Sequence, residues 1–160
     1  MKTGKTPPIP FLISTTNLTM VLVDSSAWIE GFRPTGRIEV KCAIEGLLGE
    51  QKALWCSPVR LEVLGGARKT EKQKLAGHFQ SLPYRRCSEE DWDRSVALAW
   101  KLRGEGLNLP WMDILIAAIA VHDRIRIFTL DSHFEQIAKF VPLFLYKPGY
   151  GGSYQEEEKF

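Results

Sequence analysis

The chain has 160 residues, 44% apolar and 11% aromatic, enough for one domain with a full core and no disulfide or metal staple. Its 21 basic and 19 acidic residues leave a net charge of +2, which excludes a chain-wide electrostatic grip on nucleic acid and makes any such binding a matter of placement. No run approaches the roughly 18 continuous apolar residues of a membrane span, and the start MKTGKTPPIPFLIS is broken by prolines and lacks a small-residue cleavage site, so a cytoplasmic protein is expected.

Residues 1–19 read as a disordered N-terminal extension, because a second candidate start, Met20, stands directly before the first strand. Val21, Leu22 and Val23 are apolar and mostly β-branched, as suits a strand covered on both faces. Asp24 ends that strand and, with Ser25, is placed either to cap the helix through Ala27, Trp28 and Ile29 or to act as a ligand. A helical stretch follows near Ile38 to Leu48, then a short strand at Ala53 to Cys56. Ser57 and Pro58 occupy N-cap and N1 of the next helix, which carries Leu61, Glu62 and Leu64 until Gly65 and Gly66 interrupt it.

Thr70 to Gln73 reads as a capping box opening another helix, and Ser88 to Asp91 as a second. The helix after Ser88 places Trp92, Val96 and Ala99 on one face and ends at Gly104. Pro110 begins WMDILIAAIAVHD, a helix apolar nearly all round and hence central. A strand from Ile125 to Leu130 then ends on Asp131, and a helix with Phe134, Ile137, Ala138 and Val141 on one face runs to Pro142. Phe144 to Tyr146 forms a last short strand, and residues 147–160 read as a flexible tail, glycine-rich and then acidic. Strand and helix thus alternate over residues 20–146, which predicts an α/β domain with a largely parallel sheet sandwiched between helices. Cys42, Cys56 and Cys87 match no zinc or redox spacing and are expected as buried thiols.

In a parallel sheet, ligands bind beyond the carboxyl ends of the strands. Asp24 and Asp131 stand at two such ends, Glu62 lies one turn into the helix after the second strand, and Asp113 lies in the first turn after Pro110 among apolar neighbours. Each acid alone has a plain explanation as a cap or a helix-dipole partner. Together they put carboxylates at the strand-to-helix junctions around one crevice. Their repulsion calls for a divalent cation with a taste for hard oxygen ligands, Mg²⁺ or Mn²⁺, and two such ions support phosphodiester hydrolysis.

The ordered set LVDSSAWI, SPVRLEVLGG, LPWMDILIAAIA and IFTLDSHFEQIA resembles the PIN-domain ribonucleases, and most closely the VapC toxins of toxin–antitoxin pairs, over roughly Met20 to Leu145. The resemblance implies a PIN-like parallel sheet between helices and assigns Asp24, Glu62, Asp113 and Asp131 to the acidic quartet that holds one or two Mg²⁺ or Mn²⁺ ions. It assigns Ser26 to the small polar residue supporting the metal site and Thr129 to the threonine preceding the last acid. It further implies RNA as substrate, slowing of translation, a homodimer, and a small cognate antitoxin of VapB type whose helix lies by the acids.

Arg33, Arg37, Arg60 and Arg68 are candidates to grip RNA phosphates beside the acids, against the alternative of solvated surface charge. His133 follows Asp131 closely but reads first as a cap-region or surface residue, and Trp28, Trp92 and Trp100 as core or partner contacts. The competing enzyme class, a haloacid-dehalogenase-like phosphatase, wants a second Asp where Ser26 stands. Two further alternatives are a non-catalytic PIN-like module that binds RNA or protein, and an RNA-processing PIN nuclease that is not a toxin.

Overall fold

A computed structural model describes residues 19–149. The extension expected over residues 1–19 and the tail over 147–160 fall almost entirely outside that range.

Four short strands form one parallel sheet in the order β3-β2-β1-β4, where β1 is Val21–Val23, β2 Ala53–Cys56, β3 Tyr84–Arg85 and β4 Arg126–Phe128. Val21 pairs with Ala53 on one side and with Arg126 on the other, so β1 is central. Tyr84 and Arg85 extend the sheet beyond β2 by pairing with Trp55 and Cys56. Every residue of β1, β2 and β4 is buried, although successive side chains point to opposite faces. Both faces must therefore be covered, which is the expected sandwich. A single parallel bridge, Ile127 to Leu145, stands where the last strand was expected over Phe144 to Tyr146.

The helices are α1 (Ser25–Phe32), α2 (Ile38–Gly49), α3 (Ser57–Gly65), α4 (Lys72–Phe79), α5 (Glu89–Gly104), α6 (Trp111–Asp123) and α7 (Ser132–Ile137). Helix α6 is buried from Asp113 to Ala120 and packs against α5, α3 and α7, the central place its apolar composition requires. Trp28 anchors α1 by meeting Phe79 edge-on at 5.0 Å between ring centres, and Phe79 stacks on Trp55 at 4.2 Å. Helices α1 and α2 approach closely at Gly31, where a Cβ would fall 2.3 Å from Ile44 Cδ1 and that side chain would have to shift.

Some local expectations are corrected. Helix α4 begins at Lys72 without the capping box at Thr70: a backbone turn, in which the Arg68 carbonyl accepts from the amides of Glu71 and Lys72, leads into it, so the N-cap position falls on Glu71 and no side chain caps the helix. Ser57 lies inside α3 and does not cap it. Its hydroxyl instead accepts from the Cys87 amide at 3.0 Å and the Tyr84 hydroxyl at 3.1 Å, joining β3 to the end of β2. The capping box at Ser88 and Asp91 does form, but the face of α5 carrying Trp92 and Val96 is exposed, and the buried stripe is Asp91, Ser95, Leu98, Ala99 and Leu102. Polar Asp91 lies inward because Arg85 and Arg94 both meet its carboxylate, while Ser95 returns a hydrogen bond to its carbonyl. Strand β4 stops at Phe128, so Thr129 and Leu130 belong to the loop that reaches Asp131. Among the cysteines only Cys56 is fully buried, and burial pushes its thiol up to about 12, which leaves it unreactive.

No helix among the described residues is long and apolar enough to cross a membrane.

Candidate metal centre

Strand order makes the site. Successive connections leave β1 toward β2 on one side, while β4 returns to its other side, so the carboxyl ends of β1 and β4 border a switch point where a crevice opens. The Asp24 amide donates to the Phe128 carbonyl at 2.9 Å, bringing the two strand ends together.

Asp24 caps α1 and is buried. Its Oδ2 accepts from the Ser26 amide at 3.3 Å, the Ser26 hydroxyl at 2.6 Å and the Thr129 hydroxyl at 3.0 Å. Those hydroxyls in turn accept backbone amides, Ser26 from Leu130 and Thr129 from Asp131, each at 3.0 Å. Ser26 and Thr129 therefore clamp one oxygen of Asp24 to the loop that carries Asp131. All three bonds fall on Oδ2, so cap and ligand are compatible roles: one oxygen orients the side chain and the other stays available.

Asp131 caps α7, its Oδ1 accepting the His133 amide at 2.9 Å. Asp113 lies in the first turn of α6 and is buried, but it makes no cap bond; its Oδ2 lies 2.7 Å from His133 Nδ1, which is also 3.1 Å from Asp131 Oδ1. Glu62 projects from α3 with a buried Oε2 that has no hydrogen-bond partner.

The electrostatics record the convergence. The Glu62 carboxyl is raised above its usual range first by burial and then by the charges of Asp24, Asp113 and Asp131, with a Ser25 hydrogen bond pulling the other way. Asp113 is raised by burial and by the charges of Asp131 and Asp24, with His133 opposing. An orphaned buried oxygen of Glu62, donor atoms of Asp113, Asp131 and His133 within 4.8 Å of one another, and the nearby charge of Asp24 fit a divalent cation. Asp24, Glu62, Asp113 and Asp131 would hold it.

This charge is stored against the fold. Above the carboxylate range Glu62 is ionised at a cost in stability that disappears once it is protonated in both folded and unfolded chains. Glu62→Gln is thus expected to raise the melting temperature in chelator by about 1–3 °C at pH 7.5, a solvent-screened effect of under about 1 kcal/mol. The gain should vanish when the melt is repeated below the ordinary carboxylate range, and a loss of stability at pH 7.5 would contradict it.

The candidate arginines lie apart from this cluster. Arg33 and Arg37 pair with Glu30 at 3.7 and 3.6 Å, Arg60 lies 5.5 Å over the Tyr84 ring, and Arg68 is exposed before α4. Arg37 faces a cleft of about 320 Å³ that also borders Thr129, Asp131 and Lys147. His133 takes the cap-region place expected of it, its amide bonded to Asp131, but its ring also enters the acid cluster, which the sequence reading did not assign. Its position two residues after a capping acid, in the same helical turn, was the available signal.

The comparisons agree with this architecture. Residues 21–140 match the PIN domain. Ribonuclease VapC11 of Mycobacterium tuberculosis is 32% identical over 130 residues, covering 78% of this chain and 96% of that protein. Among solved structures, the VapBC2 complex of Rickettsia felis, bound to a DNA fragment from its promoter, has a TM-score of 0.66 at 20% identity, covering 79% of this chain and 96% of that one. A toxin–antitoxin complex from Klebsiella pneumoniae has a TM-score of 0.58 at 26% identity, covering 70% of this chain and 87% of that one. With the parallel sheet, the four acids at its switch point and a match across most of its length, this chain belongs to the PIN-domain family.

Proposed function

We propose that the protein is a metal-dependent endoribonuclease that acts in the cytoplasm as the toxin of a toxin–antitoxin pair, slowing translation by cutting RNA. The observation that carries this reading is the convergence of Asp24, Glu62, Asp113 and Asp131, where burial first and the neighbouring acid charges second raise the carboxyls of Glu62 and Asp113, and where a buried oxygen of Glu62 has no hydrogen-bond partner. Mg²⁺ or Mn²⁺ suits these ligands, and when bound supplies charge neutralisation and Lewis acidity toward a phosphodiester and its attacking water. The chain's own residues do the rest. Ser26 and Thr129 hold Asp24 in place, the α7 cap holds Asp131, and buried α6 fixes Asp113. The relatives named as ribonuclease and as toxin–antitoxin complexes support the assignment.

Substrate grip is assigned to Arg33, Arg37, Arg60 and Arg68, of which Arg37 lines the cleft that also borders Thr129 and Asp131. Neutralising Arg33, Arg37 and Arg68 together is expected to weaken RNA binding about tenfold and to flatten its dependence on salt, as read by fluorescence anisotropy from 50 to 200 mM salt. An unchanged slope would remove these residues from the interface.

The antitoxin is a small protein of VapB type. Ile29 and Phe32 on α1 and Leu61 on α3 are exposed on helices that pack together next to Asp24 and Glu62, an apolar rim suited to an amphipathic helix. A homodimer is assigned to the other exposed apolar face, where Trp92, Val96, Trp100 and Trp111 line a groove between α5 and α6. Light scattering should report a dimer that Trp100→Glu converts to monomer; a monomeric parent would contradict this.

Induced expression tests the toxin role. Growth should stop with the parent chain, continue with Asp24→Asn, and be restored by the neighbouring small reading frame. A tolerated parent that nonetheless cuts RNA would instead indicate an RNA-processing PIN nuclease.

A further inference from the structure

We propose that His133 is a direct nitrogen ligand of the divalent ion, alongside Asp113 and Asp131, and that it biases the site toward Mn²⁺ over Mg²⁺. The inference rests on the metal-site reading above and adds to the four-acid set a ligand of different chemistry.

The geometry is specific. His133 lies in the first turn of α7, and its backbone amide is bonded to the carboxylate of Asp131, so its backbone is held beside that acid. Its Nδ1 lies 2.7 Å from Asp113 Oδ2 and 3.1 Å from Asp131 Oδ1. One ring nitrogen carries at most one hydrogen, so it can serve one of these carboxylates well but not both. A histidine that only oriented Asp113 would need a single carboxylate at Nδ1. A nitrogen set between two carboxylates, with one donor atom from each of the three side chains within 4.8 Å, is instead the arrangement of a ligand shell. Only a third of the His133 side chain is exposed, so most of the ring is covered by its surroundings.

First-row transition ions accept imidazole nitrogen, Mn²⁺ the most weakly of them, whereas Mg²⁺ strongly prefers oxygen. Exchanging one oxygen position for nitrogen therefore shifts relative affinity toward Mn²⁺ without excluding Mg²⁺.

Mn²⁺ binding to the full chain is measured by loss of the free-ion electron paramagnetic resonance signal, with Mg²⁺ as competitor, and the bound ion is examined by electron spin echo modulation for ¹⁴N. The expected result is nitrogen modulation in the parent, absent in both His133→Ala and His133→Gln, with Mn²⁺ affinity about tenfold lower and the preference for Mn²⁺ over Mg²⁺ reduced. Glutamine keeps an N–H to give to Asp113, so restored affinity in His133→Gln would mean that the histidine only orients that acid, and would overturn the proposal. Bound Mn²⁺ that Asp113→Asn releases but that shows no nitrogen modulation in the parent would also overturn it, while leaving the metal reading intact. Absence of Mn²⁺ binding by the parent would overturn both.

Discussion

Asp113→Asn is expected to reduce RNA cleavage about a thousandfold, the equivalent of roughly 4 kcal/mol of lost transition-state stabilisation, without unfolding the chain. Asparagine keeps the shape of the side chain and can still meet His133, so the packing of α6 survives. What disappears is a negative charge among four, in a buried position that the proposed metal reading counts among its ligands. The same substitution removes part of the repulsion stored in the cluster, so activity and stability should move in opposite directions. Ser26→Ala and Thr129→Val should cost less, about 10- to 100-fold, because they loosen the clamp on Asp24 but leave every acid in place. Initial rates on one RNA at saturating Mn²⁺ give this ranking, and a serine or threonine variant worse than Asp113→Asn would contradict it.

The largest effect on stability is expected outside that cluster, at Arg85. Its guanidinium grips two carboxylates with paired bonds, Asp123 at 2.6 and 3.2 Å and Asp91 at 2.8 and 3.1 Å, and so ties β3 to α5 and α6. Asp91 is fully buried and also accepts from Arg94 and the Ser88 amide. Burial alone would raise its carboxyl, but Arg85, the Ser88 amide and Arg94 together hold it down to about 2.

Arg85→Ala leaves that charge with one guanidinium, and the expected loss is about 3–5 kcal/mol by urea unfolding at pH 7. The pH dependence follows from the depressed carboxyl. In the unfolded chain Asp91 titrates near 4, so its contribution, on the order of 2 kcal/mol, is complete above that value and fades as pH falls toward about 2. The gap between parent and Arg85→Ala should therefore narrow through that window; a gap that stays constant from pH 7 to pH 2 would show that Arg85 acts by packing alone.

The fold was legible where apolar patterning and junction chemistry agreed. Val21–Val23 and Ala53–Cys56 are continuous apolar runs, and buried parallel strands are such runs, so β1 and β2 could be placed from sequence. Helix α6 was legible because an all-apolar segment has only the interior to occupy. Strand β3 was not, because Tyr84 and Arg85 carry no pattern of their own and pair only because β2 offers an edge. The Thr70 capping box failed for a related reason: a local motif competes with backbone turns that sequence does not display. The inward face of α5 was hidden because its key residue is a charge, Asp91, whose burial depends on Arg85 of β3 and on Arg94 three residues along the same helix.

The convergence of four acids could be expected from where they stand relative to strand ends, since topology brings those ends together. The role of His133 could not, because it turns on a side-chain direction that separates a surface histidine from one set between two carboxylates.

The most direct measurement of the central claim is a time course of purified protein on a mixed RNA pool with Mg²⁺, after addition of chelator, and after Mn²⁺ is returned, with Asp24→Asn alongside. The expected result is cleavage that stops with chelator, resumes with Mn²⁺ and is absent from the variant; cleavage that persists in chelator, or is equal in Asp24→Asn, would contradict a metal nuclease built on these acids.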